Sequence, residues 1–357
     1  MLPPTTMHAR TWPHIFTALA PSEQRSAPPT EQRSAPPTEQ RKAPPNQQRS
    51  APPSEQRSGP MQFLIDFCAG GASGAVAKTA TAPIERVKLL IQTQDANPRI
   101  TSGEVRRYSG MLDCFTRVAA DQGIHAFWRG NTVNVIRYFP TQAFNFAFKD
   151  SIKNLFPHYD PKTNFTRFFL SNVASGGLAG AGSLTIVYPL DYARTRLASD
   201  VGSGNPQFNG LLDCLQKTMK SNGFLSMYNG YSVSVVGIVA YRGPYFGLFD
   251  TAKAMNPFKD NHGIIGLVSK FSIAQSVAIA AGFIAYPFDT VRRRLQMQSE
   301  KPRTEWMYRG PLDCAVKIGT QEGIPALFKG FGANVLRTLG GALVLVGYDE
   351  IKVLVGV

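Results

Sequence analysis

The sequence predicts an all-α membrane protein with six transmembrane helices, arranged in three pseudosymmetric repeats of two long helices and one short helix each. Three observations support this fold class. Cys114, Cys214 and Cys314 are separated by 100 residues each, and each cysteine ends a related segment: YSGMLDC, FNGLLDC and YRGPLDC. Each unit of about 100 residues also contains two apolar stretches of the roughly 20 residues that a membrane helix needs.

Further matches extend the repeat in both directions. QGIHAFWRG (122–130), NGFLSMYNG (222–230) and EGIPALFKG (322–330) follow the cysteines, and PIERVK (83–88), PLDYAR (189–194) and PFDTVR (287–292) precede them. Each unit then ends in an acid-basic run: KDSIK (149–153), FDTAK (249–253) or YDEIK (348–352). We therefore place the repeats at approximately 61–160, 161–260 and 261–357.

The apolar stretches have the composition of packed membrane helices. They are rich in Gly, Ala and Ser, which let such helices approach closely. They also carry the isolated bases Lys78, Arg137, Arg242 and Arg337. Because charges inside membrane helices usually face a water-filled path, these bases predict an aqueous cavity. The alternative is a soluble helical protein, but helices this long with so few charges are uncommon outside lipid.

Residues 1–60 form a separate region. EQRSAPPT begins at Glu23 and again at Glu31, and variants of this octapeptide follow up to residue 59. A proline-rich repeat without periodic apolar residues cannot bury a core, so we expect a disordered extension before a folded domain at 61–357. The extension is either dispensable or a docking segment.

The chain is strongly basic. It has 38 Lys and Arg against 24 Asp and Glu, a net charge of +14, and an isoelectric point near 9.7. This charge admits nucleic acid, anionic lipid or an anionic substrate as partner. We expect no nucleic acid, because the charge is spread over helix ends and loops. We also expect no metal site and no enzyme activity, because no catalytic constellation of side chains is present.

The three P-x-[DE]-x-x-[KR] runs resemble those of the mitochondrial carrier family, and the resemblance covers about residues 62–353. APIERVKLL (82–90), YRGPYFGLFDTAK (241–253) and YPFDTVRRR (286–294) are similar, within that family, to ADP/ATP carriers. The resemblance implies a multi-pass protein of the mitochondrial inner membrane that exchanges ADP for ATP by alternating access. For the location, the membrane of a mitochondrion-related or other organelle is the alternative. The resemblance also implies a monomer with no cofactor apart from bound cardiolipin.

The acid and the base of each run share one helix face, because they stand three residues apart. The resemblance implies that each acid pairs with the base of a neighbouring helix to form a matrix gate: Glu85–Arg194, Asp191–Arg292 and Asp289–Lys88. Ion pairs suit a gate because Coulomb attraction and desolvation nearly cancel. A second, cytoplasmic gate is implied by Asp150, Lys153, Asp250, Lys253, Asp349 and Lys352.

A substrate site is expected between the gates. The charges there are all positive: Lys78, Arg137, Arg242, Arg337 and, just below them, Arg293. Such a cavity attracts an anion, and guanidinium groups suit phosphate. The resemblance places an adenine slot near Asn145, Gly237, Ile238 and Tyr241. For Ile238 and Tyr241, ordinary packing is the alternative.

Lipid sites are expected at glycines that precede helices, where free N–H groups can bind phosphate. The resemblance to the cardiolipin motifs of carriers points to Gly110, Gly130, Gly210, Gly230, Gly310 and Gly330. In the second repeat Asn222 and Asn229 stand where an acid and a base are usual, which predicts weaker lipid binding.

One departure from the ADP/ATP carriers is RRRLQM (292–297), where those carriers have RRRMMM; Ala285 in place of serine is another. Gln296 stands nine residues after Pro287, as Gln92 does after Pro83, whereas the remaining repeat has Ala198 at that place. We expect both glutamines to hydrogen-bond across gate pairs and to hold the matrix gate more strongly than methionine would. Arg293 is expected to face substrate phosphates, and Arg294 the matrix rim. The alternative functions are transport of another nucleotide or phosphorylated anion, proton leak, or a non-transporting role.

Overall fold

The structure is a computed structural model. It describes residues 60–355 apart from 154, 158, 160–162, 203–205, 259, 260, 262 and 300, and within helices some side chains are not described. The predicted proline-rich extension lies outside the described residues, so its disorder stays a prediction.

The described part of the chain is helical, and no strand occurs in it. Its six long helices come in pairs, one pair in each repeat. They are α1 (Pro60–Thr93) and α4 (Asn131–Lys153), α5 (Phe165–Ala198) and α7 (Tyr231–Ala254), and α8 (Ile264–Met297) and α10 (Phe331–Val355). The first helix of every pair continues through its proline, at Pro83, Pro189 or Pro287.

Short helices connect the two members of each pair. The chain forms α2 (Pro98–Thr101) and α3 (Met111–Gln122) in the first repeat, α6 (Leu211–Asn222) in the second and α9 (Pro311–Lys317) in the third. A 3₁₀ turn then leads into the second long helix. Gly123, Gly223 and Gly323 precede these turns with φ of 77 to 87°, a conformation that favours glycine.

Each repeat has a small apolar core where its short helix packs against the end of its first long helix. Cys114, Cys214 and Cys314 are fully buried at the centres of these three cores. Burial raises the pKa of the Cys114 and Cys314 thiols to about 12. The spacing of 100 residues that marks the repeat in the sequence therefore comes from equivalent core positions.

Two helices in the described part of the chain are apolar and long enough by themselves to cross a membrane: Phe165–Ala198 and Ile265–Met297, with mean hydropathies of 1.3 and 1.6. The pair Leu211–Asn222 and Phe224–Ala254 also passes when it is taken together, although it is bent by 113°. Hydropathy thus identifies fewer spans than the predicted six, which remain a prediction.

Candidate functional site

The three predicted matrix-gate pairs all form, each between the first helices of two repeats. Lys88 Nζ on α1 lies 2.8 Å from Asp289 Oδ2 on α8. Arg194 on α5 donates to Glu85 on α1, and Arg292 on α8 donates to Asp191 on α5. The pairs therefore connect the three helices in a ring, and we call their six residues the matrix gate.

Asp191 has the most basic partners of the three acids. Besides Arg292, its carboxylate lies 3.2 Å from Arg293 Nη1 and 3.8 Å from Arg137 Nη1. Arg293 also contacts Asp289 Oδ1 at 3.4 Å and donates to Thr195. The sequence predicted that Arg293 faces substrate phosphates; in the structure it lies between two gate acids, because both carboxylates are within its reach.

Both predicted glutamines lie against gate carboxylates. Gln92 Nε2 donates to Asp289 Oδ2 at 3.2 Å and to Thr290 Oγ1 at 3.0 Å. Gln296 Nε2 donates to Asp191 Oδ2 at 3.2 Å, and its carbonyl oxygen accepts from Arg293 at 3.3 Å. Unlike a methionine thioether, a glutamine at 296 can donate to the acid and accept from the base.

Glu85 has a different neighbour that the sequence analysis missed. Asn134 on α4 is buried and donates from Nδ2 to Glu85 Oε2 at 3.0 Å. Its equivalents, four residues after Gly230 and Gly330, are Ser234 and Asn334. This polar position within an apolar segment is a signal that could have identified Asn134.

Three buried arginines connect neighbouring repeats at the ends of their first long helices. Two of them, Arg86 and Arg196, were not predicted from the sequence. Arg86 donates to the carbonyl of Ala198, Arg196 to that of Met297, and Arg294 to that of Gln92, at 2.9 to 3.3 Å. Each carbonyl belongs to the end of the next repeat's first helix. Arg196 and Arg294 both stand seven residues after the helix proline, a signal that the sequence contains.

The prediction that Arg294 reaches the matrix rim is wrong. Its side chain is 0% exposed and forms ion pairs with Glu322 Oε1 and Asp95 Oδ2, both at 2.8 Å. Lys329 Nζ contacts the same two acids at 2.7 and 2.8 Å. Burial alone would raise the pKa of Glu322, but hydrogen bonds from Arg294 and Lys329 outweigh it and lower that pKa to about 2. Two acids within reach explain why Arg294 turns inward.

Three of the predicted substrate bases, Lys78, Arg137 and Arg337, lie within electrostatic range of one another or of the gate. Arg337, Arg194 and Arg137 all act electrostatically on Lys78, and Arg137 lies 3.8 Å from Asp191. Arg137 Nε has no hydrogen-bond partner among the described residues, and Arg337 Nη2 donates to Asn334 Oδ1 at 3.2 Å. These bases are cationic and have hydrogen-bonding capacity that the described residues leave unused, so they can attract an anion.

The other predicted substrate residues are dispersed. A Cβ added to Gly237 would lie 3.2 Å from Phe288 Cβ, so this glycine permits close packing of α7 on α8. Ile238 packs against a buried apolar cluster on α5 that consists of Leu184, Val187 and Tyr188. The Arg242 guanidinium lies against Gly176. Tyr241 stacks on Tyr245, with ring centroids 5.7 Å apart. The side chain of Asn145 lies outside the described residues.

The six predicted lipid-site glycines fall into two groups. Gly110, Gly210 and Gly310 precede α3, α6 and α9, and a Cβ added to any of them would meet no atom within 4 Å. Three residues after each of these glycines, an aspartate accepts a hydrogen bond from a backbone N–H. The distance is 2.9 Å for Asp113 and Asp313, and these bonds lower the pKa of both carboxyls.

The second group has a packing role that sequence reasoning did not find. Gly130, Gly230 and Gly330 have φ of 80 to 84°. An added Cβ would lie 3.0 to 3.1 Å from the carbonyl oxygens of Arg194, Arg292 and Lys88. Each glycine thus allows one repeat to contact the backbone of a gate base in the next.

The predicted cytoplasmic gate is described only in part. Asp250 and Lys253 are exposed, and both take part in interactions. The side chains of Asp150, Lys153, Asp349 and Lys352 lie outside the described residues, so pairing at this gate stays a prediction.

The chain is similar to known carriers throughout this architecture. The family model described as mitochondrial carrier protein matches residues 59–160, 165–259 and 265–356. An ADP,ATP carrier protein of Parachlorella kessleri is 61% identical over 294 residues, which cover 82% of this chain and 85% of the relative. ADP/ATP translocase 2 of Bos taurus and ADP/ATP translocase 3 of Homo sapiens are 55% and 54% identical, covering 82% of this chain and 97% of each relative. The chain therefore belongs to the mitochondrial carrier family.

Proposed function

We propose that this chain exchanges ADP for ATP across the mitochondrial inner membrane by alternating access. The observation that carries the proposal is the group of bases Lys78, Arg137 and Arg337 beside the gate: Arg137 lies 3.8 Å from the gate acid Asp191, and both arginines act electrostatically on Lys78. Relatives that are 54 to 61% identical bear the names ADP/ATP translocase or ADP,ATP carrier protein, which supports adenine nucleotides as the substrate.

The gate can open because two of its acids, Asp191 and Asp289, share the base Arg293 besides their own pairing partners. When a nucleotide phosphate enters, it offers charge-assisted hydrogen bonds to Arg137, whose Nε has no partner among the described residues, and to Arg337. Arg293 and Arg137 already contact Asp191, so a phosphate that attracts these arginines weakens the hold on that acid. Substrate binding thus offsets part of the cost of separating the gate pairs.

The remaining parts of the proposal concern the surroundings of the site. Six long helices, two in each repeat, would each cross the membrane, with their polar faces towards a shared aqueous cavity. Tyr241 would contact the adenine. Cardiolipin would bind at the helix starts after Gly110, Gly210 and Gly310, where nearby space is open. The protein would act as a monomer.

The direct test is uptake of labelled ADP by liposomes that contain the purified protein and internal ADP, internal ATP or no nucleotide. We expect uptake that requires internal nucleotide and is lost in Arg137→Ala. Arg117→Ala is the matched control, because it removes an arginine that pairs with Asp113 on the short helix α3, away from the gate. Uptake without internal nucleotide would contradict exchange, and no uptake by folded protein would favour another phosphorylated anion.

A further inference from the structure

The proline inside each first long helix leaves one backbone carbonyl without its helical donor. A proline nitrogen carries no hydrogen, so it cannot donate to the carbonyl four residues earlier. The three carbonyls freed in this way belong to Thr79, Thr185 and Phe283. In the bilayer that the proposed function places around these helices, water is excluded, so a freed carbonyl needs a donor from the protein.

Aromatic side chains supply that donor in the first two repeats. Trp128 Nε1 donates to the carbonyl of Thr79, and the Tyr228 hydroxyl donates to that of Thr185, both at 2.9 Å. Trp128 and Tyr228 occupy equivalent places in the 3₁₀ turns that lead into α4 and α7. The donor therefore comes from the segment that begins the second long helix of the same repeat.

The threonine side chains add a second contact at each of these points. Asn131 Nδ2, at the start of α4, donates to Thr79 Oγ1 at 3.1 Å. The hydroxyl oxygens of Tyr231, at the start of α7, and of Thr185 are hydrogen-bonded at 2.7 Å. We call these two groups the polar clamps; they consist of Thr79, Trp128 and Asn131 in the first repeat, and of Thr185, Tyr228 and Tyr231 in the second.

The third repeat has phenylalanine at all three clamp positions. Phe283, Phe328 and Phe331 have no polar side-chain atom, and the ring centroid of Phe283 lies 4.6 and 5.3 Å from those of the other two. This repeat is joined by the Tyr286 hydroxyl, which donates to the carbonyl of Lys329 at 3.0 Å. That carbonyl lies outside α8, so the bond does not replace the donor that the helix proline removes.

We propose that Trp128 and Tyr228 are positioning residues that hold the carbonyls freed by the helix prolines and thereby fix the bends of α1 and α5. The gate acids Glu85 and Asp191 follow the held carbonyls by six residues, so the clamps also fix the direction from which these acids enter the gate. Among the three proline-containing helices, α8 lacks such a donor and bends most readily. If the proposed exchange function is right, the bend of α8 changes more than those of α1 and α5 when the matrix gate opens.

A double-mutant cycle tests whether Trp128 acts on the carbonyl that Pro83 frees. Pro83→Ala restores a backbone N–H that can donate to the carbonyl of Thr79. We expect Trp128→Phe to lower the thermal unfolding temperature by several degrees when Pro83 is present, and by well under half as much in Pro83→Ala. An indole that only packs would cost the same in both backgrounds, and that result would overturn the proposal.

Trp306→Phe is the matched control for this cycle. The Trp306 indole donates to the carbonyl of Lys301, which is not freed by a helix proline. Its loss should therefore cost the same with proline and with alanine at residue 83. The cycle is measured on protein in detergent and needs no transport, so failure of the exchange function would not affect it.

A second pair of variants leaves every proline in place and keeps the proposal testable if Pro83→Ala does not fold. Tyr228→Phe removes the donor from the second repeat, and Phe328→Tyr adds the same hydroxyl at the equivalent position of the third. Backbone deuterium exchange, measured by mass spectrometry, reports how readily a helix opens locally. The segments to compare directly follow the helix prolines: 288–292 on α8 and 190–194 on α5.

In the unmodified protein we expect several-fold faster deuterium exchange in 288–292 than in 190–194, because only the α5 carbonyl is held. Phe328→Tyr should slow exchange in 288–292, and Tyr228→Phe should speed it in 190–194. Equal exchange of the two segments in the unmodified protein, or a variant that leaves its own segment unchanged, would overturn the proposal.

Discussion

Asp191 and Glu85 occupy equivalent positions in two repeats, yet their surroundings differ. Asp191 is held by Arg292, Arg293 and Gln296, and Arg137 lies 3.8 Å away. Among the described residues, Glu85 has one basic partner, Arg194, with Asn134 and a small cavity beside it. A gate that is three-fold symmetric in its ion pairs is therefore unsymmetric in how firmly each acid is held.

The difference between the surroundings of Asp191 and those of Glu85 follows from charge as much as from packing. Around the three gate acids stand Lys88, Arg194, Arg292, Arg293 and Arg137, so bases outnumber acids, and the excess lies on the Asp191 side. Under the proposed exchange, these excess cations would attract the anionic substrate and supply arginines that can exchange a carboxylate for a phosphate. The gate thus has a firm side at Asp191 and a looser side at Glu85.

The largest expected effect is that of Asp191→Asn. This change leaves Arg292 and Arg293 buried without their shared counter-ion, and breaking a buried pair in this way costs about 3–5 kcal/mol. We expect a large fall in the thermal unfolding temperature and complete loss of ADP exchange in liposomes. An unchanged unfolding temperature would show that the stability of the fold does not depend on the pairing of these arginines with Asp191.

Glu85→Gln should cost less than Asp191→Asn. Only Arg194 loses a partner, and Asn134 remains beside it. Because the Arg194 side chain is 7% exposed and is left without its counter-ion, we expect a loss of about 3 kcal/mol, the lower end of the range for breaking a buried pair. Thermal unfolding of both variants in the same detergent makes the comparison. A loss for Glu85→Gln equal to that for Asp191→Asn would remove the distinction between the firm and the loose side.

Gln296→Met tests the contribution of the glutamine to the firm side. It removes one hydrogen bond to a buried carboxylate and one from Arg293, and a bond to a charged group contributes about 1.5–3 kcal/mol. We expect a lower unfolding temperature and faster exchange, because the closed gate is held less strongly. Gln92→Met is the matched variant, because it removes the equivalent glutamine beside the Lys88–Asp289 pair. Unchanged unfolding and exchange would show that Gln296 does not hold the gate.

The smallest expected effect is on how the stability of the fold changes at acid pH. It concerns the ion pairs that Glu322 and Asp95 form with Arg294 and Lys329. The folded chain lowers the pKa of Glu322 from 4.5 to about 2, so this group stabilises the fold above pH 4.5. That contribution is lost as the pH falls from 4.5 through 2, because the unfolded chain takes up the proton first. Glu322→Gln should be less stable at neutral pH and should lose less stability on acidification. Parallel curves for the two proteins between these pH values would contradict this assignment.

The resemblance to carriers implied the pairing of the matrix gate, and the repeated spacing from the helix proline predicted the positions of both glutamines. The sequence did not predict that Arg293 lies between two gate acids or that Arg294 is buried against Glu322. Those directions depend on acids that are distant in sequence, Asp191 and Glu322, and on how two repeats meet. The packing role of Gly130, Gly230 and Gly330 was also invisible, since it depends on a backbone carbonyl of another repeat.

A charge swap at Glu85–Arg194 tests whether the matrix-gate pairs control adenine nucleotide exchange. Among the described residues these two form an ion pair only with each other, so exchanging their charges disturbs few other pairs. Uptake of labelled ADP by ADP-loaded liposomes would be measured for Glu85→Arg, Arg194→Glu and the double variant. We expect loss of uptake in each single variant and substantial recovery in the double variant. A double variant that is no more active than the single ones, although folded, would contradict a gating role for the pair.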